Sequence, residues 1–583
     1  MSNLWIISKC FSLVHSYKSG KLAAYLRQTI FGLRASFHKF AFKMKILTKL
    51  TLSFCGLGLL TGCNDQNTDH SEIRQTGFVY CGQGTPNTFN PQLVDSGITA
   101  EALGPQIYDT LLVLDPKTQR PSPNLAERWT VNQQGTVYTF YLRHNVSFQN
   151  TKWFTPSRYL NADDVVFSFD RILSPYNPFH HVGNSTYPWF AGINFKHLVK
   201  SIDVIDPLTI QFTLRRPDNS FLANISTTHA VILSKEYADQ LIYADEKPMI
   251  DSHPVGTGPF YLDEMQVSDF IRLKRNPLYW KGQPKMQQVV FDIAQRGTGT
   301  LAKLLRNECD VLSTPISSQI PIIEQQKHIS LSSTPAMNVA FIAVNTTHPA
   351  ISDSRVRKAL SFAVNRQNIL DSVYYGTGRI AYNILPPTSW AYQKDTIQVR
   401  YDRNYALGLL RDAGFSSGLE LSMLVPLEPT AYNPSPRKTA ELIQANLKNI
   451  GITLHLIPEE RIDRKNRSDY TDVDLYLTGW SGRTGDPDSF LRPILSCDAR
   501  EEGINLSRWC NEDFDFLLNL ALEVERPRYR LNLYKQAQNI VNQEFPVIPI
   551  AHGMQFKAYN DSLTGFQLSP FNVLPFNMVE RIK

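Results

Sequence analysis

LELSMLVPLEPTAYNPSPRKTAELIQANLKNIGITLHLIP, residues 419–458, is the stretch that decides the fold. Its ends, LELSMLVP (419–426) and ITLHLIP (452–458), read as strands, and RKTAELIQANLKNIG (437–451) between them reads as a helix. Strand, helix and strand in this order favour a parallel βαβ unit. The same alternation continues outward. A strand at MNVAFIAVN (337–345) opens the block after Thr334-Pro335, a helix is predicted over SRVRKALSFAVNRQNILDSV (354–373), and DVDLYLTGW (472–480) is the next strand. Binding clefts in such layouts form at the carboxyl ends of strands or between lobes.

Upstream, the pattern is mixed. In LAERWTVNQQGTVYTFYLRHNVSFQN (125–150) a turn at Gly135 precedes alternating positions from Val137 to Leu142, which predict a half-buried strand. NADDVVFSFDRIL (161–173) predicts a helix capped by Asn161. Asp163 and Asp164 sit near the positive end of its dipole, and Val165, Val166, Phe169 and Ile172 fall at helical spacing. SIDVIDPLTIQFTLRRP (201–217) reads as a hairpin across Asp206-Pro207. No repeat of fixed period emerges, and the class is α/β with mixed sheets.

The beginning of the chain reads differently. From Met44 the sequence MKILTKLTLSFCGLGLLTGC has a short basic region, an apolar core and small residues before a cysteine. Residues 44–62 therefore read as a secretory signal peptide, with a core too short to span a membrane. Leu60-Thr61-Gly62-Cys63 resembles the bacterial lipobox, in which the cysteine, here Cys63, is acylated. Residues 1–43 carry seven Lys or Arg and no acid, and read as an upstream or leader extension, a cytoplasmic arm being the alternative. Nine of the 59 basic residues and none of the 53 acids lie in 1–62, so the formal net charge of +6 becomes −3 for the remainder. A basic surface for nucleic acid is therefore not expected overall, although a local basic cleft remains open. A remainder of 521 residues is too long for one core, and two or three lobes are expected.

Setting aside Cys10, Cys55 and Cys63, four cysteines remain, at 81, 309, 497 and 510. An even number in an exported chain suggests two disulfides, for which sequence alone permits three pairings. Cys497 and Cys510, 13 apart, are plausible local partners, leaving Cys81 for Cys309. Catalytic signatures are wanting: the chain has no HExxH and no P-loop. RGTGTLAKLL (296–305) imitates a dinucleotide fingerprint, but Glu308 and Asp310 come too soon to hold a ribose. His180-His181 lacks further clustered ligands. No enzyme activity, cofactor or metal is expected, and function is sought in recognition.

NTFNPQL (87–93), LAERW, LNADDVVFSFDR, VGTGPF (255–260), VRKALSFAVN (356–365) and GWSGRTGDPDSF (479–490), in this order, resemble the dipeptide/oligopeptide family of extracytoplasmic solute-binding proteins of ABC importers, over essentially all of 73–583. FTPSRYLNADD, LSPFN (568–572) and the 479–490 loop resemble the Sap peptide-transport branch of that family, which is associated with antimicrobial-peptide resistance and haem capture. The resemblance implies a periplasmic-binding-protein fold of two lobes joined by two hinge crossings, with an extra subdomain in lobe I. Lobe I would hold 64–335 and 554–583, and lobe II 336–553. It also implies the Cys81–Cys309 and Cys497–Cys510 bridges, since both separations match the family's. A monomeric periplasmic receptor is implied, free or anchored through Cys63, which closes on a peptide and docks on an inner-membrane permease.

The implied ligand residues depart from the family's pattern. Where dipeptide binders place an aspartate for the peptide α-amine, this chain has Arg483. The carboxylate-holding arginine aligns with Thr430, just before Tyr432 and Asn433, and a cleft tryptophan aligns with Arg461. Trp480 remains as an aromatic wall. Either Arg483 and Arg461 point to solvent or pair with Asp486 or Glu460, or they face the cleft and favour anionic ligands such as haem propionates, acidic peptides or RNA. In the second case free dipeptides are expected to bind poorly. A non-transport envelope lipoprotein or chaperone of the same fold is the competing function; unlike a transport receptor, it need not close on ligand.

Overall fold

A computed structural model describes residues 72–582 apart from 83, 95, 185, 294–297, 395–398, 416–417, 460–471, 502 and 525. Cys63, the expected signal peptide and Arg461 lie outside the described residues. Twelve strands form the principal sheet: β1 (Gly77–Cys81), β2 (Phe260–Gln266), β3 (Phe270–Arg275), β4 (Gln288–Asp292), β5 (Val311–Leu312), β6 (Ile329–Pro335), β7 (Asn338–Val344), β8 (Gly378–Ile380), β9 (Leu419–Pro426), β10 (Ile452–Glu459), β11 (Leu475–Ser481) and β12 (Val547–Asn560). Their order is β10-β9-β11-β7-β12-β5-β1-β4-β3-β2, with β6 and β8 also paired to β12.

The decisive stretch folds as read. β9 and β10 run parallel in register from Leu419↔Ile452 to Pro426↔Glu459, and β11 joins β9 in parallel at Met423↔Leu475. β7 runs antiparallel to both β11 and β12, so the sheet is mixed. The long strand β12 serves two partners: its second half pairs with β6, ending at Pro335↔Met554, and its first half pairs with β7 from Ala340↔Ala551. Two adjacent segments, 329–344 and 547–560, thereby cross from one core to another. On one side the apolar cluster draws on 78–311 and returns at Leu563, Leu574, Phe576 and Val579. On the other, two clusters draw almost wholly on 337–551.

A separate four-stranded antiparallel sheet, Ala126–Val131, Val137–Leu142, Thr209–Leu214 and Val199–Asp206, belongs to the first core. Against it packs α1 (Ala162–Leu173). Asn161 caps α1 by accepting from the Asp163 N–H, and Asp164 closes a capping box. The helix expected over 354–373 is broken. α2 (Ser354–Ala363) stops because Val364 turns extended, and Asn365 starts a new turn by accepting from the Asn368 N–H. The Asn365 N–H meanwhile donates to Asn446 Oδ1 at 2.8 Å. That side chain belongs to α3 (Pro436–Lys448), so a tertiary contact overrides local helix preference. Cys81 is bonded to Cys309 and Cys497 to Cys510, the first bridge lying in a small apolar cluster with Leu312, Ile329 and Ala558.

Candidate ligand-binding cleft

A cleft of about 860 Å³ opens where the two crossing segments pass. Tyr80, Glu101, Trp189 and Ser313 come from the first side, Tyr374, Thr430, Tyr432, Trp480 and Arg483 from the second, and β12 contributes Gly553 to Lys557. Its volume falls in the upper part of the range of roughly 300–1,000 Å³ typical of small-molecule sites.

Strand ends and turns hold these side chains. Trp480 stands at the end of β11, where its indole N–H donates to the Ser489 carbonyl at 2.8 Å. A Cβ on Gly479 would lie 2.2 Å from Tyr432 Cδ2, so the tyrosine ring reaches its place only over bare backbone. The buried Tyr374 hydroxyl donates to the Tyr432 carbonyl at 2.6 Å and fixes that loop from behind. Asn338, at the start of β7, accepts from the Gly553 N–H at 2.8 Å and donates to the Ala431 carbonyl at 3.3 Å, tying the crossing strand to the same loop.

The expected site residues divide. Thr430, Tyr432, Trp480 and Arg483 line the cleft. Asn433 and Asp486 do not, and their roles are internal. Asn433 is buried, its Oδ1 accepting from the Ser435 N–H and the Thr439 hydroxyl at the entry to α3. Thr430 shares that turn, accepting the Asn433 N–H on its hydroxyl at 3.0 Å. Asp486 is buried against Arg530 at 2.7 Å, just before α4 (Asp488–Leu495) and beside α5 (Pro527–Glu544). Burial pushes its carboxyl up, and the Arg530 guanidinium opposes that rise.

Arg483 does not point to solvent. It is 7% exposed, and its Nη1 lies 3.5 Å from Glu101 Oε1 and 3.4 Å from the Phe571 carbonyl. Glu101 projects from the wide helical turn Thr99–Leu103 and also accepts from the Asn572 side-chain amide. A second cation, Lys557, faces the cleft from β12 and donates to the Ser313 carbonyl. Burial pulls its ammonium down to about 8, with Glu101 opposing. Sequence reasoning passed over Glu101 and Lys557. A lone acid among the small residues of ITAEALG and a lone lysine inside the apolar run of β12 were the signals available.

Comparison with known proteins identifies the family. The family model for bacterial extracellular solute-binding proteins, family 5 (middle region), matches residues 120–502. The peptide transport periplasmic protein SapA of Salmonella typhimurium is 43% identical over 89% of this chain and 94% of its own length. Heme-binding protein A of Haemophilus influenzae is 36% identical over 91% and 98%. The crystal structure of a dipeptide binding protein from Pseudoalteromonas sp. SM9913 in complex with Met-Leu superimposes with a TM-score of 0.80 at 38% identity, covering 86% of this chain and 99% of the other. The chain belongs to family 5 of the bacterial extracellular solute-binding proteins.

Proposed function

We propose that this protein is the peptide-binding receptor of an ABC importer, acting by recognition rather than catalysis. The observation that carries the reading is the cleft itself, walled from both cores and crossed by the two strands that join them. We propose 64–335 with 554–583 as one lobe and 336–553 as the other, a division that the two crossing strands support. Closure of these lobes on ligand would present the surface that an inner-membrane permease reads. Calorimetric titration of the mature protein with dipeptides and with peptides of three to six residues tests this. Saturable binding of at least the longer peptides is expected, together with a more compact shape in solution on ligand addition. A protein that binds none of them and does not change shape is not a transport receptor.

Haem is the second ligand class. Its propionates suit a wall carrying Arg483 and Lys557, and a heme-binding protein stands among the relatives. Neighbouring Glu101 offsets part of the repulsion that Arg483 would exert on a peptide α-amine, so dipeptides lose less than Arg483 alone would dictate.

Export follows from the family and from the segment beginning at Met44. We place the mature protein in the periplasm as a monomer, anchored through an acylated Cys63. Mass spectrometry of the envelope form should find a chain that begins at a lipid-modified Cys63. A chain retaining residues 1–43 refutes the leader reading, and an unmodified start beyond residue 62 makes the protein a free receptor.

A further inference from the structure

The two sides also meet outside the cleft. Asn219 stands in the loop between Leu214 and Phe221, both buried in the first core. Its backbone N–H donates to the Leu522 carbonyl at 2.9 Å, and its side-chain amide donates to the same carbonyl at 2.8 Å and to the Val524 carbonyl at 2.9 Å. Leu522 and Val524 mark the end of the helix Glu512–Glu523, whose Phe514, Leu518 and Ala521 pack in a core of the second side. The last carbonyls of a helix have no partner within it, so they take donors from elsewhere. Here the Ala521 carbonyl is served by Arg530 of its own side, and those of Leu522 and Val524 are served by Asn219 of the other.

None of Asn219, Leu522 and Val524 lines the cleft. Helix α4 links the two places. Its Ser489 and Pro493, four residues apart, stand on the cleft wall, while Asp488 and Arg492, on the adjacent face, interact electrostatically with Asp218. Asp218 is buried, its carboxylate accepting from the Ser220 N–H and hydroxyl and its carbonyl from the Tyr138 hydroxyl. The loop is thus pinned at the residue before the one that reaches across.

We infer that Asn219 is a latch of the closed receptor, joining the lobes outside the cleft and setting ligand affinity without touching the ligand. The inference rests on the receptor reading and on the proposed division into lobes, and adds a positioning residue to them. A contact made in the closed state and broken in the open one contributes its free energy to ligand binding when the ligand-free protein is open. Water replaces these hydrogen bonds on opening, so the net contribution of each is modest.

Asn219→Ala removes both side-chain bonds, and Asn219→Asp sets an anion against two carbonyls at a helix end that favours cations. With tetra-alanine as the probe and haem in parallel, calorimetry should show binding weakened about tenfold by Asn219→Ala and further by Asn219→Asp. Stopped-flow measurements should assign the change to faster dissociation, because the latch forms after the ligand has entered. Asn219 is exposed, so urea unfolding of the ligand-free protein should be unaltered in both variants. A residue that merely supports the fold would lower that stability as well. Unchanged affinity in both variants, or a loss matched by an equal loss of ligand-free stability, overturns the latch and leaves the receptor reading in place. If the wild type binds neither tetra-alanine nor haem, the receptor reading falls and the latch falls with it.

Discussion

Arg171→Met should lower unfolding stability by about 3–5 kcal/mol, the scale for removing one partner of a buried ion pair. Arg171 lies within α1 at 0% exposure. Its two terminal nitrogens meet the two oxygens of Asp251 at 2.9 and 2.7 Å, and its Nε donates to the Phe179 carbonyl at 3.2 Å. Asp251 also accepts from the Asn90 side chain at 2.8 Å, which does not neutralise it. Methionine roughly matches the volume of the arginine stem, so the loss reads the stranded carboxylate rather than a cavity. Arg171→Met/Asp251→Leu should recover a large part of it, because a pair replaced by apolar groups costs far less than a pair cut in half. Urea unfolding followed by tryptophan fluorescence checks both variants. A loss below about 1 kcal/mol in the single variant, or an equal loss in the double, would show that the pair is not the anchor described.

The sequence made α1 legible for the same reason that it hid Arg171. Cap, acidic first turn and apolar spacing are local signals, and Asn161, Asp164 and the stripe from Val165 to Ile172 form the helix that they announce. The partner of Arg171 lies 80 residues away, and no local pattern points to it. The break after α2 was hidden likewise, since Asn365 leaves the helix to meet Asn446, 81 residues on. In the cleft, family resemblance led to Thr430, Tyr432, Trp480 and Arg483, which do line it, because loops at strand ends carry their side chains with them. It also led to Asp486 and Asn433, which share those loops but turn inward to Arg530 and to the entry of α3. Sequence spacing of one to three residues cannot distinguish the two faces of a turn. Glu101 lies 382 positions from Arg483, so the charge that tempers the arginine could emerge only from the fold.

Arg483→Asp should reverse the charge preference of the cleft. In the parent, Arg483, Glu101 and Lys557 sum to one positive charge on the wall, and the variant makes that sum one negative. An anionic ligand then loses a charge-assisted hydrogen bond, about 1.5–3 kcal/mol, and meets a carboxylate in its place. Like unit charges at close range cost up to about 4 kcal/mol near a protein surface. Together these effects should weaken acidic peptides and haem by roughly 10²- to 10⁴-fold, while peptides with a free ammonium gain. Glu101→Gln should move affinities the other way by removing the carboxylate that faces both cations, and the opposite signs of the two variants exclude general damage as the cause. Because Arg483 is only 7% exposed, raising salt should shrink these differences less than it would for charges on the outer surface. Calorimetric titrations at low and high salt, with one acidic and one basic peptide of equal length, decide the matter. If Arg483→Asp leaves the ratio of the two affinities unchanged, the guanidinium does not face the ligand, and selectivity must be sought among the aromatic and backbone groups of Tyr432, Trp480 and β12.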